Sequence, residues 1–186
     1  MILKSLRLEG IRSWRDGYIP FPEGFTAIVG SKGAGKSSMI SATEFVLFGD
    51  DAFRDYSGLM REGSNRSKAI LQVEDQGRNF IITRGLARVK NRISQDSELK
   101  FEVNDLVHTV GKAGDLNRDV RELLRIDDEL LEYTCLARQE ELKKLLNMDE
   151  RSRKSVVDSL LGFDAFEVAW KELGEIIRER EGILGG

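Results

Sequence analysis

One unbroken run, Gly30-Ser31-Lys32-Gly33-Ala34-Gly35-Lys36-Ser37, carries most of the chemistry this sequence announces. It reads G-x-x-x-x-G-K-S, the pattern of a phosphate-binding loop. Its glycines let the backbone curl so that successive N–H groups converge on phosphate oxygens. The helix that follows adds its positive end. Lys36 is long enough to reach the terminal phosphates, and the Ser37 hydroxyl suits Mg²⁺. Gly33, Ala34, Gly35 and Ser38 would contribute backbone amides. The alternative is a chance glycine-rich turn before a helix, and the flanking residues argue against it. Phe25-Thr-Ala-Ile-Val-Gly30 predicts a short buried strand. Ser37 to Phe48 carries Met39, Ile40, Phe45, Val46, Leu47 and Phe48 without Pro or Gly, which predicts a helix packed on a sheet.

Other reactive centres are scarce. Cys135 is the only cysteine and His108 the only histidine. Together these exclude an internal disulfide and a thiolate metal cluster, and leave no material for a His-based metal site or triad. With 29 basic and 32 acidic residues the net charge is −3, so overall charge decides nothing about nucleic acid and local clusters must. One such cluster is Arg84, Arg88, Lys90 and Arg92, uninterrupted by any acid or aromatic. It reads either as a solvated loop or as a set of DNA phosphate contacts. The alternating N-terminal residues are no signal peptide, and no apolar run approaches membrane-spanning length. The expectation is a soluble protein of a reducing, intracellular compartment, cytoplasmic and nucleoid-associated if the source is prokaryotic.

The elements that must position the loop are mostly strands. Residues 2–8 alternate like a half-buried strand. Tyr18–Phe21 reads as a second, with Pro20 marking an edge. Residues 69–74 and 79–84 flank a turn at Asp75-Gln-Gly77, and residues 100–103 and 106–110 flank Asn104-Asp105. Both predict β-hairpins. From Gly114 the periodicity becomes helical: Leu116, Val120, Leu123 and Leu124, then Leu142, Leu145 and Leu146, then Val156, Val157, Leu160 and Leu161. Phe166, Trp170, Leu173 and Ile177 form an a/d stripe, either an amphipathic helix on a core or the root of a coiled coil. The fold class is α/β, a P-loop lobe with antiparallel hairpins followed by helices. An apolar run ending in Asp-Glu on a strand, the usual second Mg²⁺ site, is missing. Ala69–Asp75 comes nearest, but Gln72 interrupts it and it leads into a hairpin turn.

The order of these pieces resembles the N-terminal half of the SMC-like ABC ATPases, most closely the Rad-fifty type of double-strand-break repair ATPase. The resemblance rests on Leu3–Ser13 with its Arg-Ser pair, on Phe45-Val-Leu-Phe-Gly49 and on Leu59-Met-Arg-Glu-Gly63. It continues through Ile81-Ile-Thr-Arg84, Leu136-Ala-Arg-Gln-Glu140, Asp149–Val157 and Leu160-Leu-Gly-Phe163. The P-loop alone is shared by many families; this succession is more specific. It implies an ABC-type head whose N-terminal lobe spans residues 1–162, with residues 163–186 starting a truncated coiled coil. It implies ATP and Mg²⁺ as cofactors, with Zn²⁺ only in a hook at the tip of the absent coil. The implied partners are the chain's own C-terminal half, a second head joined through ATP, an Mre-eleven-type nuclease, and DNA.

Residue by residue, the resemblance puts Arg12 and Ser13 near the base and α-phosphate. It puts Met60, Arg61 and Glu62 along the base, and makes Gln139 the Q-loop residue at Mg²⁺ and the γ-phosphate. Lys36 and Gln139 would be the catalytic pair, Ser37 and Gln139 the metal ligands. Lys32 departs from the family, which usually has Asn there. Two other readings share the P-loop: an SMC-type chromosome-structuring ATPase, and a stand-alone P-loop phosphotransferase. The latter would need an in-chain acidic site and an arginine-rich lid.

Overall fold

The computed structural model describes residues 1–49, 55–96, 98–124 and 147–160, together with 169–171, 173–174 and 177–178. It divides into two compact units, Met1–Asp128 and Glu129–Gly186.

The first unit is built on a seven-stranded sheet: β1 (Ile2–Ile11), β2 (Trp14–Pro20), β3 (Arg66–Asp75), β4 (Arg78–Val89), β5 (Arg92–Gln95), β6 (Lys100–Val103) and β7 (Leu106–Val110). The order is β2-β1-β3-β4-β6-β7, with β5 also paired to β4, and every pairing is antiparallel. Alternation decides which face is covered. Ala69, Leu71 and Val73 on β3 are buried, as are Phe80, Ile82 and Leu86 on β4. The register lines up Leu6, Leu71, Ile82 and Phe101 as one apolar row across β1, β3, β4 and β6. Phe80 and Phe101 stack with ring centroids 5.9 Å apart.

Helix α1 (Lys36–Phe48) packs against β1, β3 and β4, burying Met39, Ala42, Phe45, Val46, Leu47 and Phe48. Helix α2 (Ala113–Leu124) touches α1, β6 and β7 and buries Leu116 and Val120. Both predicted hairpins form. Their turns place Gln76 and Gly77, and Asn104 and Asp105, at positive φ, the two-residue geometry that matches strand twist. Pro20 lies on the sheet's edge strand, as its missing N–H requires.

Two expectations need correction. Phe25–Gly30 is not a strand. It has no ladder partner among the described residues, and Phe25 and Val29 are 93% and 91% exposed. An apolar run makes a buried strand only where a neighbour can take up its backbone groups, and among the described residues none lies beside it. The stretch from Arg84 to Arg92 is not a loop between hairpins. Arg84 and Arg88 lie within β4, and Lys90 (φ 56) and Asn91 turn the chain into β5, making a third hairpin.

In the second unit, α3 (Glu150–Leu160) begins with an acidic residue in its first turn, which complements the helix's positive end. Helical backbone recurs at 169–171, 173–174 and 177–178, where Trp170, Leu173 and Ile177 are exposed. Cys135, Phe166, Gln139 with its flanking motif, and the apolar face at 142–146 lie outside the described residues.

Candidate nucleotide-binding site

The loop before α1 makes an anion site by its backbone. Gly33 (φ 85) and Gly35 (φ 93) both take the left-handed conformation. A Cβ on Gly33 would meet nothing within 4 Å, so the concavity there is open. Gly35 caps α1, no side chain among the described residues bonds its first amides, and no acid sits in its first turn. Ser, Thr, Asp or Asn at this position would offer a side-chain oxygen to those amides. Here the positive end is left bare, which suits phosphate.

Lys36 Nζ donates to the carbonyls of Gly30 and Ser31, each at 2.7 Å. The ammonium thus folds over the loop it would share with a phosphate. Ser37, exposed in the first turn, presents the hydroxyl that fits Mg²⁺. Lys32 is exposed on the same loop. No cluster of three or more His, Cys, Asp or Glu able to hold a metal occurs among the described residues. The lone Ser37 hydroxyl, with the phosphate loop beside it, would fit a Mg²⁺ whose other ligands include phosphate oxygens.

The Arg-Ser pair reaches the same place by the β1–β2 turn. Arg12 sits at φ 44, a conformation uncommon for a side-chain-bearing residue. Its guanidinium donates to Gly58 O at 2.7 Å and to Ser41 Oγ, on α1, at 3.1 Å. Arg61 Nη1 donates to the carbonyls of Arg12 and Ser13, each at 3.1 Å. Arg12 N–H in turn bonds Leu59 O, and Arg61 N–H bonds Gly10 O. These bonds tie the turn at 12–13, the loop at 58–61 and α1 into one frame beside the P-loop.

The structure thus brings together Arg12, Ser13, residues 30–38 and Arg61. Glu62 is exposed next to Arg61. Met60 is corrected: it bridges Ile11 and is 4% exposed, so it belongs to the core rather than to a base-contacting surface. Trp14, unremarked in the sequence, stands against the P-loop. Its indole N–H donates to Gly35 O at 3.1 Å. It also helps line a cavity of about 330 Å³ with Ile19, Ala27, Ile28, Val29, Ala34, Lys36 and Met39. Its only sequence signal was its place directly after Arg12-Ser13.

Arg84 is a second correction. It is fully buried, donating to Val46 O (2.7 Å), Leu47 O (3.3 Å), Gln95 Oε1 (3.1 Å) and Asn117 Oδ1 (2.7 Å). Its charge meets the negative C-terminal end of α1, where helix carbonyls lack partners. A guanidinium committed there is closed to DNA. Arg88, Lys90 and Arg92 are exposed on the β4–β5 hairpin. Arg88 and Arg92 line a second cavity of about 470 Å³ with Asp55, Tyr56 and Ser57.

A phosphate cradle at the N-terminus of a helix laid on a sheet defines a mixed α/β P-loop lobe. The family model described as AAA domain matches residues 5–182, and the chain belongs to that family. It is 30% identical over 186 residues to the DNA double-strand break repair Rad50 ATPase of Methanococcus maripaludis, covering 99% of this chain and 18% of that one. It is likewise 30% identical to the Rad50 ATPase of Thermoplasma volcanium, covering 95% of this chain and 20% of that one. The chain therefore spans about a fifth of the length of the curated relatives it matches. Among solved structures, the recombination mediator RecF bound to ATP aligns with TM-score 0.50 and 19% identity, over 89% of this chain and 42% of that one, a likeness of fold. No helix among the described residues is long and apolar enough to cross a membrane.

Proposed function

We infer that this chain is the ATP-binding half of a DNA double-strand-break repair ATPase, completed by a C-terminal half that supplies the second acidic site. Residues 1–162 form the lobe of the head and 163–186 begin the coiled coil. The observation that carries the reading is the bare N-terminus of α1 behind the Gly33–Gly35 loop, with Lys36 folded over it. The similarity to Rad50 repair ATPases supports the repair role. The protein works inside the cell, without a membrane.

In this reading Lys36 would neutralise the β/γ-phosphates, Ser37 and Gln139 would hold Mg²⁺, and Gln139 would also serve the γ-phosphate side. A neutral amide can accept from one neighbour and donate to another, so it reports the phosphate without a fixed charge. ATP joins two heads, and that closure controls DNA binding and an Mre-eleven-type nuclease. The exposed, apolar Phe25–Val29 segment supports the need for a completing half. Exposed Trp170, Leu173 and Ile177 support a helix that meets another helix.

The test is turnover. The 186-residue chain alone should hydrolyse ATP very slowly, and adding the C-terminal half in trans should raise the rate. Multiple-turnover hydrolysis by the chain alone, abolished by Lys36→Ala, would overturn the split-site reading. In assembled heads, Gln139→Ala should leave ATP affinity nearly intact and reduce both hydrolysis and ATP-driven association. Parent-like behaviour there removes Gln139 from the site.

A further inference from the structure

Trp14 lies where the sheet's edge strand meets the phosphate loop. Its indole touches two glycines. A Cβ on Gly17 would come within 2.3 Å of the ring at Cε3, and a Cβ on Gly35 within 2.5 Å of Nε1. The ring therefore occupies the space that side chains at both positions would fill. At its polar end, Nε1–H shares Gly35 O with the N–H of Met39, which makes the first bond of α1 at 3.2 Å. A carbonyl oxygen has two lone pairs, so one atom both opens the helix and anchors the loop to β2.

That oxygen matters because of peptide planarity. In a trans peptide the C=O of Gly35 and the N–H of Lys36 point in opposite directions. Holding the carbonyl toward Trp14 fixes the heading of the Lys36 amide, one of the uncapped donors at the head of α1. We propose that Trp14 is a positioning residue of the nucleotide site: its indole N–H pins the Gly35–Lys36 peptide so that the phosphate cradle is formed before phosphate arrives. The proposal rests on the nucleotide-binding reading above. Recognition is of the polyphosphate, not the base.

Trp14→Phe keeps an aromatic ring between the glycines and deletes the donor, while Gly35 O keeps its bond to Met39. Affinity for ATP and for inorganic tripolyphosphate, measured by calorimetry on the purified protein, should fall by the same factor, about 3- to 10-fold, as one net hydrogen bond allows. The melting temperature should stay near the parent's. Equal affinities in parent and variant overturn the proposal, and so does a loss seen with ATP but not with tripolyphosphate. Lys36→Ala separates the two readings. If it binds both ligands as the parent does, the nucleotide site itself is wrong. If it loses them while Trp14→Phe does not, only the role of Trp14 fails. A measurement on the unaltered protein stands beside these should the variant not fold. The chain has two tryptophans, and Trp170 is exposed in the other unit. The Trp14 indole N–H resonance should shift when tripolyphosphate is added and the Trp170 resonance should not. A Trp14 resonance that stays in place overturns the proposal.

Discussion

A guanidinium buried without water must find acceptors for its donors, and Arg84 finds them on three elements at once. Two are carbonyls at the end of α1, so the cation answers the helix's negative partial charge there, as a bound phosphate would answer the positive one at the N-terminus. Arg84→Met would keep much of the volume and orphan those buried acceptors. Its expected cost is about 3 kcal/mol or more, from several unmade charged hydrogen bonds. A urea midpoint equal to the parent's, at unchanged slope, would contradict this. Asp119 offers a residue-scale test of pH. Burial pushes its carboxyl up, but hydrogen bonds from Thr109 and Arg118, with the charges of Arg118 and His108, outweigh it and hold the group below its ordinary 3.8. A carboxyl lowered in the folded state stabilises above its unfolded value, and that contribution disappears as pH falls through the folded one. The loss belongs below about pH 4. Melting curves from pH 6 to pH 2 should show Asp119→Asn falling less steeply than the parent at the acid end. Parallel curves would mean that the Asp119 contacts add nothing to stability.

At the scale of elements, the β4–β5 hairpin decides what remains of the basic cluster. With Arg84 in the core, only Arg88, Lys90 and Arg92 can face a polyanion. Neutralising those three together in the assembled ATPase should weaken DNA binding and flatten its salt dependence, by up to about 0.9 in slope for each lost phosphate contact. Nucleotide affinity should not change. An unaltered slope returns the hairpin to a solvated surface. The sequence hid this hairpin because Lys90-Asn91 lacks the glycine that usually marks such a turn, although Lys90 still adopts positive φ. It displayed the other two hairpins, whose Gln76-Gly77 and Asn104-Asp105 turns sit between alternating strands. Arg84 was misread for a different reason. Arg84 and Arg88, four apart on β4, point to the same face, but Arg84 falls between buried Ile82 and Leu86 whereas Arg88 lies past the covered stretch, a difference along the strand that a linear charge cluster does not show. The P-loop was legible because its function lies in backbone curvature that glycine spacing dictates. The contact of Trp14 with Gly35 was not, because it depends on β2 folding back along β1 until residue 14 faces residue 35.

The whole molecule explains the remaining misreading. Thr26, Ile28 and Val29 have the residue types of a strand, yet the segment runs exposed from Gly24 to the P-loop. β-branched residues prefer a pleated, paired setting, and the cost of leaving their backbone unpaired falls once a neighbouring strand is supplied. A chain that spans about a fifth of its relatives' length can lack that neighbour. If a completing half pairs with this segment, the phosphate loop gains a fixed root on its N-terminal side to match the anchor that α1 gives it on the other. Hydrogen exchange tests this directly. The amides of residues 25–30 should exchange quickly in the chain alone and become protected when the C-terminal half is added, before any nucleotide is present. Val29→Asp should weaken that association and lower the rate of the reconstituted ATPase, while leaving the β3–β4 hairpin equally protected. Fast exchange at 25–30 in an assembled, hydrolysing complex would show that the segment stays free and that the loop takes its support from α1 and Trp14 alone.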